Sequence, residues 1–139
     1  MRFLLFMAFV SLSLPVAACA ESSNLVTVLT HSSRRQNFEW RVAEEKLRAH
    51  PKWDIKASAV PLEPRKAFQI AEDWMRKRHS EPELVRIEIQ SLGARSKSLS
   101  GHYIYVIEFV TGAFDSMPVV ILMDGTVVEP TPLVRNAEK

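Results

Sequence analysis

Between Pro64 and Val128 the spacing of apolar residues changes once, from helical to extended, and that single change limits the folds open to the chain. Ala67, Ile70, Ala71, Trp74 and Met75 fall at i, i+3, i+4, i+7 and i+8, which gathers them on one stripe of a helix. Pro64 suits the first helical position, where no amide hydrogen is needed. Arg76-Lys77-Arg78-His79 bring positive charge to the exposed carbonyls of the last turn. Past Ser80-Glu81-Pro82 the period becomes two. Val85, Ile87 and Ile89 alternate with Arg86, Glu88 and Gln90, as on a half-buried strand.

Three more strands are predicted. Residues 102–110 are rich in aromatic and β-branched side chains, and Leu92 to Gly101 reads as the loop before them. Residues 119–123 and 126–128 are joined by Asp124-Gly125, a strong short hairpin signal. Pro130-Thr131-Pro132 ends the sheet, and Leu133 to Lys139 reads as a tail. Short connections favour antiparallel pairing. The predicted class is therefore α+β: one main amphipathic helix packed on a four-stranded antiparallel sheet.

Upstream of residue 61 the reading is looser. Residues 1–20 combine Arg2, an apolar run and a small-residue exit, Val16-Ala17-Ala18-Cys19-Ala20, as in a secretory signal. Pro15 and the polar residues from Glu21 interrupt the run before the roughly 20 residues a membrane span needs. Cleavage before Cys19 would use it as a lipobox cysteine carrying lipid. Cleavage after Ala20 would discard it. The first case gives a membrane-anchored lipoprotein, the second a periplasmic or secreted protein. Residues 21–60 read as an N-terminal arm. Within it 25–29 could be a strand or a tether, a short helix is predicted near 38–49 from Phe38, Val42 and Ala49, and residues 53–60 alternate weakly. About 120 residues after processing suffice for one domain.

Composition removes several function classes. Without Arg2, 17 basic residues face 16 acidic ones, a charge of +1, which gives no electrostatic reason for a nucleic-acid partner. The histidines at 31, 50, 79 and 102 are scattered and read as solvated, so no metal site is predicted. Cys19 is the only thiol, no G-x-S-x-G elbow is present, and four glycines leave no phosphate-cradling loop. No cofactor is implied, and the chain reads as non-enzymatic.

What remains are candidate binding residues. Glu88 and Glu108 lie on separate predicted strands and would approach each other if the register allowed, with Arg86 beside them. Tyr103, Tyr105 and Phe109 share a strand face, either as an exposed aromatic ridge or packed beneath the helix against Trp74. The Arg76-Lys77-Arg78 run reads as complementing the helix dipole.

The order of phrases is itself distinctive. Lys66-Ala67-Phe68-Gln69-Ile70-Ala71 in a helix, then 85–89, then Tyr103 to Phe109, then Val119 to Val128 with its Asp124-Gly125 hairpin, resembles PepSY-like domains over residues 61–130. The resemblance implies a cystatin-like arrangement with no catalytic residues. It also implies a bacterial envelope protein that restrains peptidases or binds other envelope components. The expected function is an envelope module that binds a protein or peptide through a sheet edge or the loops at 93–101 and 111–117. Two alternatives stand beside it: a ligand-binding or enzymatic domain with a pocket between helix and sheet, and a purely structural lipoprotein.

Overall fold

A computed structural model describes residues 24–34, 36–111 and 115–133. The signal segment, Cys19 and residues 134–139 of the tail lie outside the described residues, as does the centre of the 111–117 connection. Among the described residues no helix is long and apolar enough to cross a membrane.

The described residues are mostly β, with two antiparallel sheets and two α-helices. Strands β1 (Leu25–Ser32) and β2 (Asn37–Ala43) form a hairpin that leads into the short helix α1 (Glu44–Ala49). The main helix α2 (Pro64–Arg76) follows. Then come β3 (Glu83–Ser91), β4 (Tyr103–Thr111), β5 (Asp115–Leu122), β6 (Val127–Val128) and β7 (Pro130–Leu133). One sheet has the order β1-β2-β7 and the other β3-β4-β5-β6.

The expected single helix on a single four-stranded sheet, the cystatin-like arrangement, is thereby overturned. Helix α2 does cover one face of the β3–β6 sheet. Its Ala67, Ala71, Trp74 and Met75 pack on Tyr105, Ile107, Phe109, Val119 and Ile121. The opposite face, however, is covered by a second sheet. Val28, Trp40 and Val42 from β1 and β2 share a core with Ile104, Val106, Val120 and Leu122. The central strands are thus buried on both faces, and strands so placed carry unbroken apolar runs. Val119-Val120-Ile121-Leu122-Met123 is such a run, with every member at most 2% exposed.

The segment at 38–49 is corrected as well. Residues 37–43 are strand, and only 44–49 are helix. Phe38, Trp40 and Val42 alternate, and Trp40 and Val42 are buried against the second core. The pair Phe38 and Val42 fits an i+4 helical spacing and a doubled strand period equally, and Trp40 between them decides for the strand. Residues 53–60 are irregular rather than extended, turned by Asp54, which accepts from the Lys56 amide at 3.0 Å. The Leu92–Gly101 loop is pinned by Leu92 and Leu99, both at most 1% exposed, with a short 3-10 turn at Lys97–Leu99.

The last strand shows how the two sheets are joined. Pro130-Thr131-Pro132 does not end the structure; it pairs with β2, Pro130 opposite Trp40 and Pro132 opposite Phe38. Prolines donate no ladder hydrogen bond, which confines such a strand to an edge. The chain leaves one sheet at Val128 and enters the other at Pro130, so Glu129 is the corner. It accepts from Trp74 Nε1 at 2.8 Å and pairs with Arg78, which lies 3.8 Å above the Trp74 ring. Corner, helix end and sheet are tied at one point.

The β5–β6 connection is a hairpin, as the Asp124-Gly125 pair predicts. The Gly125 amide donates to Leu122 O and the Leu122 amide to Thr126 O, both at 2.9 Å. Gly125 has φ +90°, and a Cβ there would stand 3.2 Å from Ile70 Cδ1 on α2. Gly125→Ala is expected to destabilise the fold by about 1–3 kcal/mol, through left-handed backbone strain and crowding of the helix. A urea midpoint equal to that of the parent protein would contradict this.

Candidate functional site

The four-stranded sheet ends on one side at β6, two residues long, and on the other at β3, nine residues long. Among the described residues no strand pairs with the outer side of β3. An unpaired edge presents a row of amide and carbonyl groups that another strand can use. Edge β7 is blunted by its prolines, and β1 exposes one large apolar side chain, Leu25. Strand β3 exposes three: Leu84 at 41%, Val85 at 52% and Ile87 at 40%.

The two faces of β3 differ because of its register with β4. Leu84 lies opposite Phe109, Ile87 opposite Ile107 and Ile89 opposite Tyr105, which places them on the α2 side. Helix α2 packs over β4 and β5, so Leu84 and Ile87 stand beyond its cover. On the other face Arg86 lies opposite Glu108, Glu88 opposite Val106 and Gln90 opposite Ile104. A β-bulge between Leu84 and Arg86 leaves Val85 as the extra residue. One strand thus has an apolar face and a charged face, both open.

The two glutamates picked out from the sequence do come together, with Arg86 between them. Arg86 Nε is 2.7 Å from Glu108 Oε2, and Arg86 Nη1 is 3.7 Å from Glu88 Oε2. Gln90 Nε2 donates to Glu88 Oε1 at 3.2 Å. A guanidinium set between two carboxylates makes charge-assisted contacts of the kind used in recognising charged groups.

The two tyrosines part company. Tyr105 is fully buried, and its hydroxyl donates to Leu62 O at 2.6 Å. Burial pushes its pKa up. Tyr103 is half-buried and meets the edge of Trp53, centroids 5.3 Å apart, rather than Trp74. No exposed aromatic ridge exists on this strand. Phe109, third in that row, is buried and stacks on Phe68. The helix–sheet interior is filled by these rings and by Ala67, Ala71 and Met75, all buried.

The histidines hold a feature that the sequence hides. His102 is 2% exposed, and its Nδ1 has no hydrogen-bond partner among the described residues. Burial holds its pKa below the usual value, helped by the positive fields of Lys52 and His50. His50 Nδ1 lies 3.3 Å from Asp124 Oδ2. Burial raises the pKa of Asp124, but hydrogen bonds from the Thr126 amide and hydroxyl outweigh it and leave the carboxyl low. Residues 50 and 102 are brought near each other only by the fold, so spacing along the chain carries no sign of it. Among the described residues no group of three or more His, Cys, Asp or Glu could hold a metal ion.

A buried neutral histidine has a defined pH signature. The unfolded chain takes up a proton near pH 6.5, whereas folded His102 takes it up only at lower pH. Between those two values the unfolded state binds more protons, so stability present above about pH 6.5 is lost as the pH falls through that window. His102→Gln is expected to flatten this part of the stability curve, measured by urea denaturation at steps between pH 7.5 and 5 (about half a unit apart). An unchanged slope would remove His102 as its source.

No protein-family model matches the sequence, and no curated protein or solved structure matches it.

Proposed function

We propose that this is a non-enzymatic binding module of the bacterial envelope that accepts an extended peptide segment along the outer edge of β3. The observation that carries the reading is the nine-residue unpaired edge with Leu84, Val85 and Ile87 exposed on it. Strand addition takes its affinity from main-chain hydrogen bonds and its selectivity from alternate side chains. Here the α2 side favours apolar side chains in the incoming strand, and the Arg86–Glu88 side favours charged ones. Export by residues 1–20, with lipid on Cys19 if the lipobox is used, would place the module in the envelope. The PepSY-like order of phrases makes segments of envelope peptidases the first partner class to try.

The test is selection from a displayed library of linear peptides, followed by amide hydrogen exchange of the complex. Selected peptides should protect amides within 83–91, and Ile87→Lys should weaken them about tenfold by setting a charge on the apolar face. Protection confined to another surface would refute the proposal.

A further inference from the structure

Accepting that β3 takes an added strand, we infer that one occupant of this edge is the β3 of a second copy of the same chain, paired antiparallel about a two-fold axis through Ile87. The nine residues of β3 run from Glu83 to Ser91, and Ile87 is their midpoint. A two-fold axis there pairs the regular stretch Arg86–Glu88 of one copy with Glu88–Arg86 of the other, and beyond these residues the bulge at Val85 shifts the ladder. In that register Arg86 falls opposite Glu88 of the second copy, and Glu88 opposite its Arg86. Symmetry therefore makes two opposite-charge cross-strand pairs from one sequence. Ile87 meets its own copy on the α2 face.

Neighbouring registers lose this match. An axis through Arg86 or Glu88 sets like charges against each other. An axis lying in the sheet plane turns one copy over and opposes the charged face to Leu84 and Ile87. An axis normal to the sheet keeps both helices on one side. Strands are spaced about 4.8 Å, so two helices centred over β4 and β5 would lie roughly 19 Å apart. A helix is about 10–12 Å across. The two therefore clear each other, with Leu84 and Ile87 of both copies forming the floor between them. Arg86 keeps its bond to Glu108 and, with its side chain 60% exposed, remains accessible to a second carboxylate. Glu88 is accessible at 42%. Such a dimer covers the edge that a peptide would use, so self-pairing and peptide binding exclude each other.

Sedimentation equilibrium of the protein as isolated is the test, on the parent and on Glu88→Arg, Arg86→Glu and Ile87→Lys. The parent should show a concentration-dependent dimer. Glu88→Arg sets a second guanidinium against Arg86 in both symmetry-related pairs and should weaken the dimer at least about tenfold. Arg86→Glu should do the same with carboxylates. An equimolar mixture of the two should regain association, because each chain then supplies the sign the other lacks. Should Arg86→Glu fail to fold beside Glu108, Glu88→Arg and Ile87→Lys carry the result alone. A parent that stays monomeric to about 1 mM, or a dimer indifferent to Glu88→Arg and Ile87→Lys, overturns self-pairing. Hydrogen exchange separates this from the broader reading. A monomer whose 83–91 amides are protected by a selected peptide keeps the accepting edge and discards the dimer. A dimer with unprotected 83–91 amides discards self-pairing through β3, and 83–91 amides that a selected peptide also leaves unprotected discard both.

Discussion

Trp40→Ala is expected to lower the stability of the protein by about 3–5 kcal/mol, the usual cost of emptying a buried tryptophan site. Trp40 is fully buried, sits in the core shared by the two sheets with Val28, Leu47, Ile104 and Val120, and lies opposite Pro130 in the ladder. Its indole Nε1 has no hydrogen-bond partner among the described residues, so part of the burial gain is already offset. Even so, the loss is a large share of the roughly 5–15 kcal/mol that holds an ordinary domain. The measurement is urea denaturation followed by far-ultraviolet circular dichroism. A change within about 0.5 kcal/mol is what an exposed tether would show, and it would contradict the packing of β2.

Tyr105→Ala should produce a loss of similar size on the other side of the sheet. Tyr105 is fully buried beneath α2, among Ala71, Met75 and Ile107. Removing the ring opens a cavity, at about 3–5 kcal/mol for a large aromatic side chain. Removal also strands Leu62 O, which accepts the hydroxyl. Tyr105→Phe separates the two effects. It keeps the ring and should cost about 1–2 kcal/mol, for the carbonyl left without its donor. Neither change touches the outer side of β3, so Tyr105→Phe should bind selected peptides as the parent does. Weaker peptide binding at unchanged stability would move Tyr105 from the core to the binding surface.

Several local elements were legible because their signals are short-range. The stripe from Ala67 to Met75 is the buried face of α2, and Pro64 is its first residue. The strands at 85–90, 102–110, 119–123 and 126–128 fall within or close to β3 to β6, since alternation and β-branching report on a pleated backbone directly. The hairpin at Asp124-Gly125 follows from the left-handed backbone that glycine accepts. The approach of Glu88 and Glu108 around Arg86 was legible only conditionally, because it depends on the β3–β4 register and on a bulge at Val85. Tyr103 and Tyr105 could not be sorted into exposed or buried, since both share one face and only the position of α2 and Trp53 separates them.

By itself, the sequence determined where the backbone turns helical or extended and that residues 119–123 are apolar without a break. Tertiary structure alone decided what that unbroken run meant. One buried face would have needed every second residue to be apolar. Two buried faces need all of them, and the second cover comes from β1, β2 and β7, which lie at the two ends of the described chain. Pairing between segments some ninety residues apart leaves no periodic trace, because each strand alternates the same way whichever neighbour it joins. The open edge has the same origin. A strand is an edge only because nothing else in the fold lies beside it, and for β3 that is a property of the assembled sheets.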